Sequence, residues 1–201
     1  MQERSPVRNK KSAWAVRLDY IYQMIKPKMK GVILYTGKFG STRQYADWIK
    51  EATELPVFDL RKEKPDLSKY DFFILGSSIF IYKPTIRKWL KRHWPKIKGK
   101  PVLLFTVSGA EPGSPDLQKW VEDNLGREII DTITYVPLRG RLKIEELPWY
   151  IRFMLKLGAN KEEDPEVKKR MVEGFDYMDQ SAIQPILEWA RSVQKKPAKL
   201  V

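Results

Sequence analysis

Directly after the apolar run Val32-Ile33-Leu34-Tyr35 comes the loop Thr36-Gly37-Lys38-Phe39-Gly40-Ser41-Thr42, and few folds accept that succession. A buried strand, a glycine-and-hydroxyl loop and a helix opening at the hydroxyls together form a phosphate cradle. The helix N-terminus supplies unpaired backbone N–H groups and a partial positive charge. Gly37 and Gly40 permit backbone bends that side chains resist. Ser41 and Thr42 add hydroxyl donors where a helix over 42–52 begins. The spacing fits neither the dinucleotide glycine fingerprint nor the P-loop, whose lysine precedes its Ser/Thr. A short hydroxyl-rich loop of this kind suits a single phosphate, and the plain alternative is a strand–turn–helix with a Ser/Thr cap.

The rest of the chain narrows the chemistry. Among 201 residues there is no cysteine and one histidine, His93, within the basic run Lys91-Arg92-His93-Trp94. Disulfides, iron–sulfur clusters, zinc frameworks and Cys–His nucleophiles are therefore excluded, no metal site is expected, and any redox chemistry falls to an organic cofactor. The formal net charge of +13 asks for an anionic partner: a membrane surface, nucleic acid or an acidic redox protein. No nucleic-acid motif appears, so nucleic acid is disfavoured. Residues 1–30 read as a basic amphipathic extension in which Trp14, Leu18, Ile21, Tyr22, Ile25 and Met29 form a helical stripe after Ser12, with Pro27 ending the helix. That stripe suits a membrane surface, a docked terminal helix or an oligomer contact. With no signal-peptide core and no run long enough to span a bilayer, the expectation is a cytoplasmic protein, either soluble or peripheral at the inner face of the membrane.

Strands over 32–36, 56–60, 71–76, 101–107 and 129–136 alternate with helices over 42–52, 84–93, 115–124 and 183–194. Such alternation predicts an α/β fold, a parallel sheet covered by helices on both faces. Each glycine- and hydroxyl-rich loop then falls at the carboxyl end of a strand, where open α/β sheets bind ligands. The candidates are the cradle itself, the segment Ser77, Ser78, Ile79, Phe80, Ile81, Tyr82 and Lys83, and the segment Ser108, Gly109, Ala110 and Glu111.

Two of these stretches resemble a known family. The cradle 36–42 is similar to the hydroxyl–glycine–hydroxyl phosphate loop of flavodoxin-like FMN proteins. Tyr70-Asp71-Phe72-Phe73-Ile74-Leu75-Gly76-Ser77-Ser78-Ile79 resembles the "YD-apolar-GASI" segment of menaquinone-dependent protoporphyrinogen IX dehydrogenases. A third match, Trp149 to Leu157, is similar to an apolar helix late in those dehydrogenases. The resemblance implies a doubly wound five-stranded parallel sheet of order 2-1-3-4-5 over residues 31–195, with an N-terminal helix before it, an insertion at 138–180 before the last helix, and a tail at 196–201. It implies FMN, its phosphate on the first loop and its ring between the other two, with Phe80 or Tyr82 stacking on the flavin. Lys38 and Lys83 are cations that would raise the flavin potential by stabilising its anionic reduced form.

Within the insertion, Trp149, Phe153 and Leu157 recur every four residues beside Tyr150, Met154 and Gly158, giving one broad apolar face with Arg152 and Lys156 on the remaining side. The resemblance makes Trp149, Arg152, Phe153 and Lys156 the candidates for holding a flat tetrapyrrole, its propionates paired with the two cations. The same face equally suits a membrane surface or packing against the domain. The activity implied is an FMN-dependent oxidoreductase passing electrons from a tetrapyrrole to a quinone. An electron-carrier flavodoxin, a quinone reductase with a basic surface and a non-enzymatic phosphate-ligand or nucleic-acid-binding module remain alternatives.

Overall fold

The structure is a computed structural model and describes Trp14 and residues 29–195. The N-terminal stripe, Met29 apart, and the 196–201 tail lie outside the described residues apart from Trp14. Five parallel strands form the sheet: β1 (Gly31–Thr36), β2 (Val57–Asp59), β3 (Phe72–Phe80), β5 (Val102–Ser108) and β6 (Thr134–Arg139). They lie in the order β2-β1-β3-β5-β6, and the short β4 (Lys83–Pro84) pairs antiparallel with the end of β3. Counting parallel strands alone, this is the expected 2-1-3-4-5.

Period-two alternation divides the core between the faces of the sheet. Ile33, Ile74, Leu103 and Phe105 pack against Tyr45, Ala46 and Ile49 of helix α1 (Ser41–Thr53) and against Ile186, Leu187, Ala190 and Val193. Their neighbours Leu34, Phe73, Leu75 and Leu104 pack on the other side, against Leu90, Trp94 and Ile97 of α2 (Arg87–Ile97) and Val121 and Leu125 of α3 (Pro115–Leu125). Central strands buried on both sides need this near-continuous apolar character.

Three boundaries depart from the sequence expectation. β3 runs four residues past Gly76, because Ser77 and Ser78 stay paired with Thr106 and Val107 while Ile79 and Phe80 turn to meet Pro84 and Lys83. Pro84 thus lies in a strand rather than opening a helix, and α2 starts at Arg87. Ile129 and Ile130 were expected in the fifth strand. They form a single turn, α4 (Arg127–Ile130), entered through Gly126 at φ 87°, and Ile129 is buried in the second core cluster; β6 begins only at Thr134.

The insertion after β6 contains β7 (Arg141–Leu142), α5 (Trp149–Ala159), α6 (Pro165–Glu173) and β8 (Phe175–Asp176), and α7 (Gln184–Lys195) closes the domain. β7 and β8 pair antiparallel, so the insertion leaves and returns at one place. Helix α1 grips both ends. The Tyr45 hydroxyl donates to Arg139 O at 2.7 Å and accepts from Asp179 N–H at 3.2 Å. Ser41 Oγ donates to Arg141 O at 3.1 Å and accepts from Arg141 N–H at 3.0 Å. Burial pushes the Tyr45 phenol pKa up, so the group stays a neutral donor. Tyr45→Phe strands both backbone partners and is expected to destabilise the domain by about 1–3 kcal/mol, read as a lower denaturant midpoint with an unchanged slope.

Candidate functional site

The carboxyl ends of β1, β3 and β5 open onto a cavity of about 490 Å³, within the ordinary range for a cofactor site. Its floor comes from the predicted loops. Phe39, Ser41 and Thr42 contribute from the first, Ser78, Ile79, Phe80, Ile81 and Tyr82 from the second, and Ser108, Gly109 and Ala110 from the third. The fold therefore brings the three segments together.

The remaining candidates stand close by without lining the cavity. Thr36 is buried, its hydroxyl bonded to Thr85 Oγ1 at 2.7 Å, and Ser77 Oγ accepts from Ile86 N–H at 3.2 Å; both brace the loops from below. Lys38 Nζ lies 3.4 Å from the centroid of the Phe80 ring, on a residue that does face the cavity. Lys83 is exposed in β4, and Glu111 reaches towards Arg139 at 3.9 Å.

At the cradle the backbone does most of the work. Gly40 takes φ 86° at the N-cap of α1, and no side chain caps the first turn, leaving its leading N–H groups for an anion. A Cβ on Gly37 would stand 2.8 Å from Thr42 Cβ, so the loop folds onto Thr42 only because position 37 is glycine. Ser41 has already directed its hydroxyl proton to Arg141 O, which leaves Thr42 as the hydroxyl that an anion could engage. The hairpin tip, Ile81 and Tyr82, holds positive φ values of 47° and 60°, strained for both residue types. Tyr82 leans on Trp120, with ring centroids 4.9 Å apart.

The insertion roofs the cavity. Ile151, Met154, Leu155 and Gly158 face it from α5, joined by Val167, Arg170 and Met171 of α6 and by Phe175. Arg170 Nη1 donates to Gly109 O at 3.0 Å, tying the roof to the third loop, and a Cβ on Gly109 would lie 2.6 Å from the Phe175 ring. Trp149, Arg152, Phe153 and Lys156 do not line the cavity; all four are exposed on α5. Helix spacing explains the difference. α5 is apolar on two stripes, and the one at 151, 154, 155 and 158 turns inward, leaving 149, 153 and 157 outside. Arg141 and Leu142, also in the lining, could have been found from the carboxyl-end rule, since they follow β6 directly. Met171 and Phe175, distant in sequence from any loop motif, carried no such signal.

The geometry defines an α/β protein with an uncapped helix N-terminus beside a partly open, mainly apolar chamber. Residues 32–169 match the flavodoxin domain family, and the chain belongs to that family. Solved structures similar to it include a WrbA-like flavodoxin from Agrobacterium tumefaciens (12% identity, 82% of this chain and 98% of that one, TM-score 0.46). A flavodoxin from the domain Archaea is similar at 16% identity (81% and 99% coverage, TM-score 0.44). A flavoprotein in complex with FMN from Lactobacillus acidophilus is similar at 17% (55% and 92%, TM-score 0.40). No curated protein matches the chain. Among the described residues, no helix is long and apolar enough to cross a membrane, and no cluster of His, Cys, Asp and Glu could hold a metal ion.

Proposed function

We propose that this protein is an FMN-dependent oxidoreductase that takes an apolar tetrapyrrole as electron donor and a quinone as acceptor, working peripherally at an anionic membrane surface. Family membership and the uncapped cradle support FMN. The observation that carries the enzyme reading over a simple carrier is the roof. A carrier needs only an exposed cofactor edge, whereas α5, α6 and Phe175 roof a partly open apolar chamber above the loops.

In this reading the first-turn N–H groups of α1 and the Thr42 hydroxyl hold the phosphate. The backbone of Ser78–Tyr82 and Ser108–Ala110 reads the polar edge of the ring system, and Phe80 or Tyr82 packs on its face. FMN, when bound, would supply the electron-transfer chemistry between the donor and the quinone. No side chain need act as acid or base. Arg141 and Arg170 lie in the lining with Glu162, Arg141 is 3.7 Å from Asp176, and Lys38 stands over Phe80; a cation near the ring favours reduced, anionic states. Ile151, Met154 and Leu155 supply the apolar surface for a flat donor.

Thr42→Val keeps the shape of a 1%-exposed side chain and removes a hydroxyl bond to a charged group, worth about 1.5–3 kcal/mol. FMN should bind roughly ten-fold or more weakly, measured by fluorescence quenching on titrating the apoprotein. An unchanged dissociation constant would place the phosphate elsewhere. The activity itself is tested by following porphyrin fluorescence on adding a reduced tetrapyrrole and a quinone to the flavin-loaded protein; no stimulation over the flavin-free protein would contradict it.

A further inference from the structure

Among the described residues, the outer stripe of α5 is largely uncovered. Trp149 is 73% exposed, Phe153 57%, Tyr150 52% and Leu157 49%. Such a concentration of large apolar side chains on two or three helical turns is unusual for a surface that faces only water. Arg152 and Lys156 flank the stripe, both exposed, and neither forms an ion pair with another described residue. No acidic residue occurs from Trp149 to Ala159. The stripe also adjoins the chamber. Met154 is 48% exposed and still lines it, and Ile81 and Tyr82, exposed at the strained hairpin tip, line it as well.

We infer that the outer face of α5 docks this protein onto an anionic lipid bilayer, Trp149, Tyr150, Phe153 and Leu157 entering the interface and Arg152 and Lys156 meeting lipid phosphates. The inference rests on the proposed function for the peripheral placement and for the use of the chamber. It names the membrane-facing surface, and it gives Trp149, Arg152, Phe153 and Lys156 a role at the lipid instead of at the tetrapyrrole.

Charge decides between occupants. A second copy meeting this face about a two-fold axis would bring Arg152 and Lys156 towards their own counterparts, with no carboxylate on the helix to offset them. A bilayer carrying anionic headgroups complements both features at once: aromatic side chains favour the headgroup boundary, and cations beside them gain from the surface charge. The chain's net charge of +13 acts in the same direction. Because the docking stripe continues through Met154 to the rim of the chamber, an apolar donor or quinone dissolved in the membrane would reach the chamber without crossing water.

The test is co-sedimentation of the full-length, flavin-loaded protein with vesicles of phosphatidylcholine alone or mixed with phosphatidylglycerol. Binding is expected to the mixed vesicles, weakening as salt is raised. The triple variant W149S/F153S/L157S should bind about ten-fold or more weakly, and R152E/K156E should lose the preference for phosphatidylglycerol; both should keep wild-type flavin content. These side chains are exposed, so neither variant removes core packing. Wild-type protein that stays in the supernatant, or variants that sediment as wild type does, would overturn the inference. So would a wild-type dimer that ignores vesicles and that the triple variant converts to monomer. Flavin content separates the two claims. A flavin-loaded protein indifferent to vesicles refutes the docking face and the peripheral placement while leaving the redox chemistry standing, and a protein with no affinity for FMN refutes that chemistry.

Discussion

Gly37→Val is expected to give a folded protein that purifies without flavin. The added Cβ would lie 2.8 Å from Thr42 Cβ and 3.0 Å from its Oγ1. Neither atom is the free end of a flexible chain: Thr42 is 1% exposed in the first turn of α1. The loop 37–40 must therefore move, which separates its backbone N–H groups from the first turn of α1 and from the Thr42 hydroxyl. Losing two hydrogen bonds to a charged group, at about 1.5–3 kcal/mol each, weakens FMN by roughly a hundred-fold or more. The fold should survive, because α1 is held by Tyr45, Ala46 and Ile49 in the core rather than by the loop. Far-UV circular dichroism like wild type together with absent flavin absorbance is the expected pair of results. Stoichiometric flavin in the variant would show that position 37 is not part of the cradle.

Leu155→Glu should separate donor oxidation from cofactor binding. Leu155 belongs to the inner stripe of α5 and lines the roof of the chamber, whereas the cradle lies on the opposite, floor side with Ser41 and Thr42. A carboxylate placed there faces a mainly apolar wall and must stay hydrated or be buried at a cost of several kcal/mol. Turnover of a reduced tetrapyrrole is expected to fall by at least about a hundred-fold, while FMN content and chemical reduction by dithionite persist. Leu155→Ala, which removes volume without charge, should lose far less. Full turnover by a folded, flavin-loaded Leu155→Glu protein would mean that the donor does not enter beneath α5.

Most of the sheet was readable because its signals are local and redundant. Val32-Ile33-Leu34-Tyr35 and Val102-Leu103-Leu104-Phe105 are unbroken apolar runs with helices beside them, and buried parallel strands require that pattern. The three loops were readable for the same reason, each ending a strand with glycine and hydroxyl residues. Boundaries set by pairing were not. Nothing in Ser77-Ser78-Ile79-Phe80 distinguishes a loop from a strand until Thr106, Val107, Pro84 and Lys83 are found across from it. Ile129-Ile130 carries strand propensity, yet Gly126 turns the chain and tertiary packing takes Ile129 into a helical turn. The orientation of α5 was the hardest. A helix apolar on two stripes satisfies the periodicity test whichever stripe faces the core. Here α6 packs against the inner stripe, the Met171 side chain reaching Gly158, where an added Cβ would lie 2.7 Å from its Cε. The roof of the site, built from Met171, Phe175 and Arg170, depends on that packing, on the Arg170 bond to Gly109 O and on Phe175 lying against Gly109.

The claim at the centre of this account is that the cradle and chamber hold FMN. Its most direct measurement is mass identification of the cofactor released by heat from the purified protein, paired with titration of the apoprotein by FMN and by FAD. One cradle sized for a single phosphate, with no dinucleotide glycine pattern, predicts a yellow protein that releases FMN in stoichiometric amount and an apoprotein that rebinds FMN in preference to FAD. Stoichiometric FAD, or an apoprotein with no affinity for FMN, would contradict it.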